Sequence, residues 1–190
     1  MSVTNILLVG VGGQGTVLAS TILAKGLIKA GYDVKMSEIH GMSQRGGSVS
    51  TQVRFGKEVI SPVIGEGEAD IIVAFEKMEA LRYLNFLKPE GSVIVNEEEL
   101  PSAIIQAGLA KYPEGILEEL KSHAKTYPIP ATTIAGEMGN EKVMNVVLFG
   151  AMAKMLGLSD VDWKEVIKEN VKPQFAELNL QAYEKGAELI

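Results

Sequence analysis

The sequence of 190 residues predicts an α/β fold, in which helices cover both faces of an open, mostly parallel sheet. Short continuous apolar runs such as 5–9 (NILLV) and 69–75 (ADIIVAF) are typical of strands buried on both faces. Segments of helical periodicity alternate with these runs, and the last third is helical. We therefore expect a single domain over 1–190, with an α/β core over about 1–130 and a helical part over about 131–190.

The first forty residues form the clearest unit. After the strand at 5–9, helical periodicity over about 14–30 places Leu18, Ile22 and Leu23 on one stripe, and a second strand is expected at 32–39. A strand–helix–strand crossover of this kind is right-handed in nearly all proteins.

The next segment interrupts this order with a β-hairpin insertion. The alternation in 48–55 (SVSTQVRF) predicts a strand with one drier face, and 58–64 is expected to be its hairpin partner. The other predicted elements are strands at 69–75, 92–95 and 126–129 and helices at 77–87, 113–124, 141–156, 162–170 and 173–189, with 97–112 unassigned. Pro128 and Pro130 make the strand 126–129 an edge strand or a short one. The almost wholly apolar helix 141–156 is expected to be buried or at a subunit interface.

Composition excludes several classes of protein. A net charge of −6 without a basic run argues against nucleic-acid binding. No apolar stretch is long enough to span a membrane, and the first ten residues lack the features of a signal peptide, so a cytoplasmic protein is expected. The absence of cysteine excludes an iron–sulfur cluster held by thiolates of this chain, and the two histidines, His40 and His123, share no metal-ligand spacing.

The run VGVGGQG, 9–15, satisfies the pattern G-x-G-x-x-G through Gly10, Gly12 and Gly15 between a strand and a helix, which makes the predicted fold Rossmann-like. The free N–H groups at the start of that helix favour an anionic group. Three interpretations remain open: a dinucleotide whose ribose is held by Glu38, close strand–helix packing alone, or an anionic ligand or partner segment of another kind.

A second glycine-rich run, HGMSQRGGS at 40–48, follows the second strand and so is expected at the same edge of the sheet. Its arginine could form two hydrogen bonds with a carboxylate or phosphate. No catalytic residue and no metal ligand is predicted. Asn145, inside the apolar helix, needs hydrogen-bond partners, so we expect it either to cap neighbouring backbone or to anchor a loop or an interface. The candidate residues facing a ligand or partner are Gly10, Gly12, Gly13, Gln14, Gly15, His40, Gly41, Gln44, Arg45, Gly46 and Gly47.

The two glycine-rich runs together resemble the gamma-type subunit of 2-oxoacid:ferredoxin oxidoreductases. HGMSQRGG resembles in particular the beta subunit of the indolepyruvate enzymes. The resemblance extends over nearly the whole chain, through 61–64 (SPVI), 69–76 (ADIIVAFE), 129–132 (IPAT) and 145–151 (NVVLFGA).

The resemblance implies oxidative decarboxylation of a 2-oxo acid to an acyl-coenzyme A with reduction of ferredoxin. It implies that a large alpha subunit carries thiamine diphosphate and [4Fe–4S] clusters, that this chain alone holds no cofactor, and that the two chains form an α2β2 complex. The two loops would form one wall of the joint site. The alternatives are a gamma subunit acting on pyruvate or 2-oxoglutarate, a free-standing NAD(P) or flavin protein, and a non-enzymatic module that dimerises through its apolar helix.

Overall fold

The computed structural model describes residues 3–41 and 46–190. In these ranges the chain forms a six-stranded sheet, helices, and 3₁₀ turns at Leu84–Phe86, Glu141–Val143 and Pro173–Phe175. The strands are β1 (Thr4–Val11), β2 (Asp33–His40), β3 (Ser48–Gly56), β4 (Ala69–Ala74), β5 (Leu87–Asn96) and β6 (Lys125–Ile129). The helices are α1 (Thr16–Lys29), α2 (Lys77–Arg82), α3 (Ala103–Gln106), α4 (Ile116–His123), α5 (Ala131–Glu137), α6 (Met144–Leu156), α7 (Trp163–Asn170) and α8 (Ala176–Ala187).

The strand order is β2-β3-β1-β4-β5-β6. Strands β1, β4, β5 and β6 are parallel to one another, whereas β3 is antiparallel to both of its neighbours, β1 and β2. The mostly parallel sheet is therefore confirmed, and β6 lies at its edge as expected from the two prolines.

The predicted hairpin partner at 58–64 is wrong, because β3 forms its hairpin with β2 instead. The segment after β3 is an extended loop whose backbone groups bond to side chains. Val59 N–H donates to Asp33 Oδ2 (2.7 Å) and Ile64 N–H to Gln52 Oε1 (2.6 Å). Because Val59 and Ile64 are buried, the apolar pattern of the segment resembles that of a strand although no ladder forms.

Several predicted boundaries also shift. The expected helix 77–87 ends at Arg82 and continues as a 3₁₀ turn, and the strand predicted at 92–95 is the longer β5. Helix α4 begins only after Gly115, which has a φ of 72°. Helix α5 lies in the predicted helical part without having been predicted as a separate element, and the short α3 lies in the unassigned segment 97–112.

Apolar side chains alternate along the strands and supply a core on each face of the sheet, because successive side chains of a strand point to opposite faces. On one face, residues such as Ile6, Leu8 and Val73 pack in one cluster with residues of α1, α5, α6, α7 and α8. On the other face, Leu7 and Val9 pack in a cluster with residues of α2 and α4. Helices therefore cover both faces, as the sequence predicts.

Helix α6 is the buried centre of the helical part. All of its residues from Met144 to Ala153 are buried, which agrees with its apolar sequence. It crosses α8 at two glycines: a Cβ atom on Gly150 would lie 2.1 Å from Tyr183 O, and one on Gly186 would lie 1.8 Å from Val147 O. The two backbones thus touch where both helices lack a side chain. Within the described ranges no helix has the length and apolar character needed to cross a bilayer.

Candidate functional site

The structure brings the two glycine-rich loops together at the carboxyl edge of the parallel strands. In the sheet register, Val11 pairs with Ser48 and His40 pairs with Val49, so β1 and β2 end at the same edge on either side of β3. Gly12 N–H donates to Gly47 O (2.9 Å), which joins the loops directly. Gln44 and Arg45 lie outside the described residues.

The glycines of the first loop have different roles. A Cβ atom on Gly10 would lie 2.9 Å from both Gln14 Oε1 and Phe75 Cβ, and one on Gly15, whose φ is 83°, would lie 2.4 Å from Asn145 Nδ2. Gly13 also has a positive φ, 106°, but nothing lies within 4 Å of its Cβ position. Close packing therefore requires Gly10 and Gly15, whereas Gly13 is required by backbone conformation and faces open space.

Gln14 closes the first loop with its side chain. Its Oε1 accepts from Val11 N–H (2.8 Å), and its Nε2 donates to Phe75 O (2.9 Å) and Glu98 Oε2 (3.2 Å). The amide groups were expected to serve a ligand as well, but Gly12 N–H and Gln14 N–H already donate to Gly47 O and Val11 O. Gly13 N–H and Gly15 N–H donate to no acceptor in the part of the chain that the structure describes.

A polar network that the sequence did not reveal lies under this loop. Asn96, at the end of β5 and fully buried, donates from Nδ2 to Phe75 O, Glu98 Oε2 and Thr132 Oγ1 (2.9–3.1 Å). Its Oδ1 accepts from the N–H groups of Ala131 and Thr132. The network ties the ends of β4, β5 and β6 together. Its only signal in the sequence is a pair of polar residues, Asn96 and Glu98, after an apolar strand.

A pocket of about 410 Å³ opens beside the first loop. Asn145, from the first turn of α6, forms part of its wall and donates from Nδ2 to Gly15 O (3.2 Å). This bond supports the expectation that Asn145 anchors a loop. The pocket is lined by Gly13, Gln14, Gly15, Leu18, Glu98, Thr132, Glu141, Lys142, Met144 and Asn145.

A second cleft, of about 650 Å³, is bordered by Gly12 of the first loop and Gly46 of the second. In contrast to the first pocket, its described lining contains no charged side chain. It is lined by Val11, Gly12, Gly46, Leu100, Pro101, Ser102, Ala103, Ile104 and Gln106. The glycine loops therefore contribute to two clefts of different chemistry.

Glu38 and His40 are placed poorly for a dinucleotide. A dinucleotide-binding fold places the second strand beside the first, so that the acidic residue reaches the ribose. Here β3 separates β1 from β2, and the Glu38 carboxylate pairs with His40 Nε2. His40 is half exposed and its described charged contact is this carboxylate. Among residues 3–41 and 46–190, no group of three His, Asp or Glu side chains is placed to hold a metal ion.

Two buried glutamates hold helix α2 to the same edge. Glu79 accepts from Ser48 Oγ at the end of the second loop and from Arg82 Nε (3.1 Å). Glu76 caps α2 by accepting from Glu79 N–H (2.9 Å) and also accepts from the Tyr112 hydroxyl. Burial, followed by this hydrogen bond to Glu76, raises the pKa of Tyr112 well above its usual value. Neither glutamate was singled out from the sequence.

Comparison with known proteins identifies the family. The family model for pyruvate ferredoxin/flavodoxin oxidoreductase matches residues 5–189. The chain is 43% identical to the indolepyruvate oxidoreductase subunit IorB of Thermococcus kodakarensis, over 96% of this chain and 93% of that protein. It is 33% identical to the common gamma subunit of the pyruvate/ketoisovalerate oxidoreductases of Pyrococcus furiosus, over 93% of both chains.

The fold agrees with this result. The pyruvate oxidoreductase subunit PORC of Thermotoga maritima superimposes with a TM-score of 0.76 at 22% identity, covering 99% of this chain and 97% of that one. With a family model and close relatives that span nearly the whole sequence, the chain belongs to the pyruvate ferredoxin/flavodoxin oxidoreductase family.

Proposed function

We propose that this chain is the small, cluster-free subunit of an indolepyruvate:ferredoxin oxidoreductase and works in the cytoplasm with a large alpha subunit. The observation that carries the proposal is the 43% identity to an indolepyruvate oxidoreductase subunit over nearly the full length of both chains. The complex would decarboxylate an arylpyruvate oxidatively, transfer the acyl group to coenzyme A and reduce ferredoxin. The runner-up activity, on pyruvate or another 2-oxo acid, is favoured by lower identities: 33% to a pyruvate/ketoisovalerate gamma subunit and 31% to a 2-oxoglutarate synthase subunit.

The residues of this chain fit a division of labour with a partner. A [4Fe–4S] cluster is held in proteins by cysteine thiolates, and this sequence has none. The clusters and thiamine diphosphate, which supplies the electron sink for loss of CO₂, are therefore assigned to the large subunit. This chain would contribute binding and orientation at the subunit boundary.

The part of the chain that would meet the partner is the edge formed by the two glycine loops. On this edge the cleft beside Gly12 and Gly46, whose described lining contains no charged side chain, is the place for an anionic group. Arg45, by its position in the sequence just before Gly46, would add a guanidinium to the same edge. The anion would belong to coenzyme A, to thiamine diphosphate or to the partner chain.

Reconstitution tests the proposed activity. The chain is mixed with the large subunit from the same organism, and reduction of ferredoxin is followed with indolepyruvate, pyruvate and 2-oxoglutarate in the presence of coenzyme A. We expect activity only with both chains and the highest kcat/KM for the arylpyruvate. A higher kcat/KM for pyruvate would favour the runner-up, and activity of either chain alone would contradict the proposal.

The variant Arg45→Ala tests the role of the second loop. If Arg45 contacts an anion of the joint site, its loss should raise the KM for coenzyme A or the 2-oxo acid at least about tenfold, as expected for a charge-assisted contact. Lys57→Ala is the matched control, because Lys57 is an exposed cation after β3, at the opposite end of that strand. Kinetics equal to those of Lys57→Ala would remove Arg45 from the site.

A further inference from the structure

The pocket beside the first loop contains a carboxylate held in one orientation. Glu98 Oε2 accepts three hydrogen bonds, from Gln14 Nε2 (3.2 Å), Asn96 Nδ2 (3.1 Å) and Thr132 Oγ1 (2.9 Å). The second oxygen, Oε1, accepts none from the residues that the structure describes, and Glu98 lines the pocket. Three donors on one oxygen leave the carboxylate little freedom, so the other oxygen is preorganised for a donor from outside the chain.

Asn145 adds a second acceptor in the same wall. It is only 4% exposed, and while its Nδ2 donates to Gly15 O, its Oδ1 is buried with no partner in the described structure. A buried carbonyl oxygen without a hydrogen bond is costly, and native proteins usually provide one. Because Asn145 lines this pocket, a group bound there could supply the missing donor.

The charge of the pocket indicates the chemistry of that donor. Two carboxylates, Glu98 and Glu141, line it against a single lysine, Lys142, in a chain whose net charge is −6. A cation is therefore favoured here and a phosphate or carboxylate is not. An anionic group at these loops would instead lie on the side of the uncharged cleft beside Gly12 and Gly46.

We infer that this pocket receives a basic side chain, an arginine, from the large subunit. The inference rests on the proposed function, which supplies that partner. A guanidinium carries five N–H donors and no acceptor, so it has enough donors for both Glu98 and Asn145, and its fork matches a carboxylate. The contact would fix the first glycine loop against the partner. Gln14, in this loop, bonds to Glu98, and Asn145 bonds to Gly15 O.

Titration of the large subunit against variants of this chain tests the inference. Glu98→Gln keeps an oxygen for the three internal donors but removes the charge, and we expect the Kd to rise about thirtyfold or more. The salt dependence of the Kd should also become shallower. Glu141→Gln, at an exposed residue, should weaken binding by only about two- to threefold, through the association rate. Glu97→Gln is the control: Glu97 is exposed, adjacent in sequence, and absent from the pocket.

The outcomes separate the inference from the proposed function. If the unmodified chain binds the large subunit and Glu98→Gln binds as tightly as Glu97→Gln, the arginine contact is wrong and the proposed function stands. If the unmodified chain binds no large subunit, both are wrong. Thermal unfolding of each variant checks for a folding defect. If the thermal midpoint of Glu98→Gln is lowered, Glu141→Gln becomes the test. A Kd and a salt dependence of Glu141→Gln equal to those of the unmodified chain then overturn the inference.

Discussion

The first glycine loop owes its shape to side chains that come from distant parts of the sequence. Gln14 joins the loop to Phe75 O at the end of β4, and Asn145 lies against Gly15 from the start of α6. A motif of this spacing is commonly associated with a pyrophosphate. Here several of its polar groups are already used inside the chain, which leaves Gly13 as its most open point.

Substitution of the two positive-φ glycines should separate backbone strain from packing. Both Gly13→Ala and Gly15→Ala place a side chain in a disfavoured conformation, at a cost of about 1–3 kcal/mol. Gly15→Ala should cost about 1–3 kcal/mol more, because its Cβ would displace Asn145. Urea unfolding measures the difference, and equal free energies of unfolding for the two variants would contradict the packing role of Gly15.

The variant Tyr112→Phe tests the hydrogen bond to Glu76 through the pH dependence of the free energy of unfolding. Near neutral pH, loss of the hydroxyl should lower the free energy of unfolding by about 1 kcal/mol or more, since Glu76 is buried and loses a donor. The pKa of Tyr112 is raised by folding. Above about pH 10 the unfolded chain therefore loses this proton first, and the native protein loses stability as the pH rises.

The difference in the free energy of unfolding between the native sequence and Tyr112→Phe should therefore become smaller from pH 9 to pH 11. Only the native sequence loses stability through the raised pKa of Tyr112. Burial also raises the pKa of Tyr183. Tyr183→Phe should show the same narrowing without the loss of a bond to a carboxylate. A gap that stays constant over this range would contradict the assignment.

At the level of single residues, the sequence predicted which loops matter but not how each side chain is used. Gln14 was expected to face a ligand, yet its side chain is bonded internally. Glu98 was not noticed, because its position depends on the register of β5 with β4 and β6, which no local pattern specifies. Asn145 was recognised because an amide in an apolar helix needs a partner.

Among the elements, the crossing of α6 and α8 is the most sensitive to substitution. Gly186→Ala would place a methyl group 1.8 Å from Val147 O, so the helices would have to separate. We expect a loss of about 3 kcal/mol or more in the free energy of unfolding. Gly136→Ala, in the exposed part of α5 with nothing within 4 Å of its Cβ position, should instead be neutral or stabilising by up to about 1 kcal/mol. Similar denaturation midpoints for the two variants would show that the crossing can open without cost.

The elements with a periodic apolar pattern were predicted well, and the errors occur where side chains replace a backbone ladder. The segment 58–64 has buried apolar residues at strand-like spacing, but side chains of β2 and β3 satisfy its backbone groups. Partner choice in a sheet depends on contacts distant in sequence. The β2–β3 hairpin could not be read locally, because its connection over 41–47 is longer than a tight turn.

At the scale of the whole molecule, the strand order argues against a free-standing dinucleotide protein. Since β3 lies between β1 and β2, NAD⁺, NADP⁺ and FAD should leave the thermal midpoint of the chain unchanged. The large subunit should raise the thermal midpoint. At a hundred times its Kd it should add about 2.7 kcal/mol to the free energy of unfolding. Differential scanning calorimetry distinguishes these outcomes, and a midpoint that rises with a dinucleotide would restore the alternative of a redox protein acting alone.

The close crossing of α6 and α8 at Gly150 and Gly186 links the last helix to the site. Asn145 lies five residues before Gly150 on the same rigid helix, a distance of about 7.5 Å along its axis. At the two glycines α8 meets α6 through backbone atoms, which have no rotamers to change. A movement imposed on α8 would therefore shift α6 as a rigid body. Asn145, which donates to Gly15 O, would move with it and displace the first glycine loop.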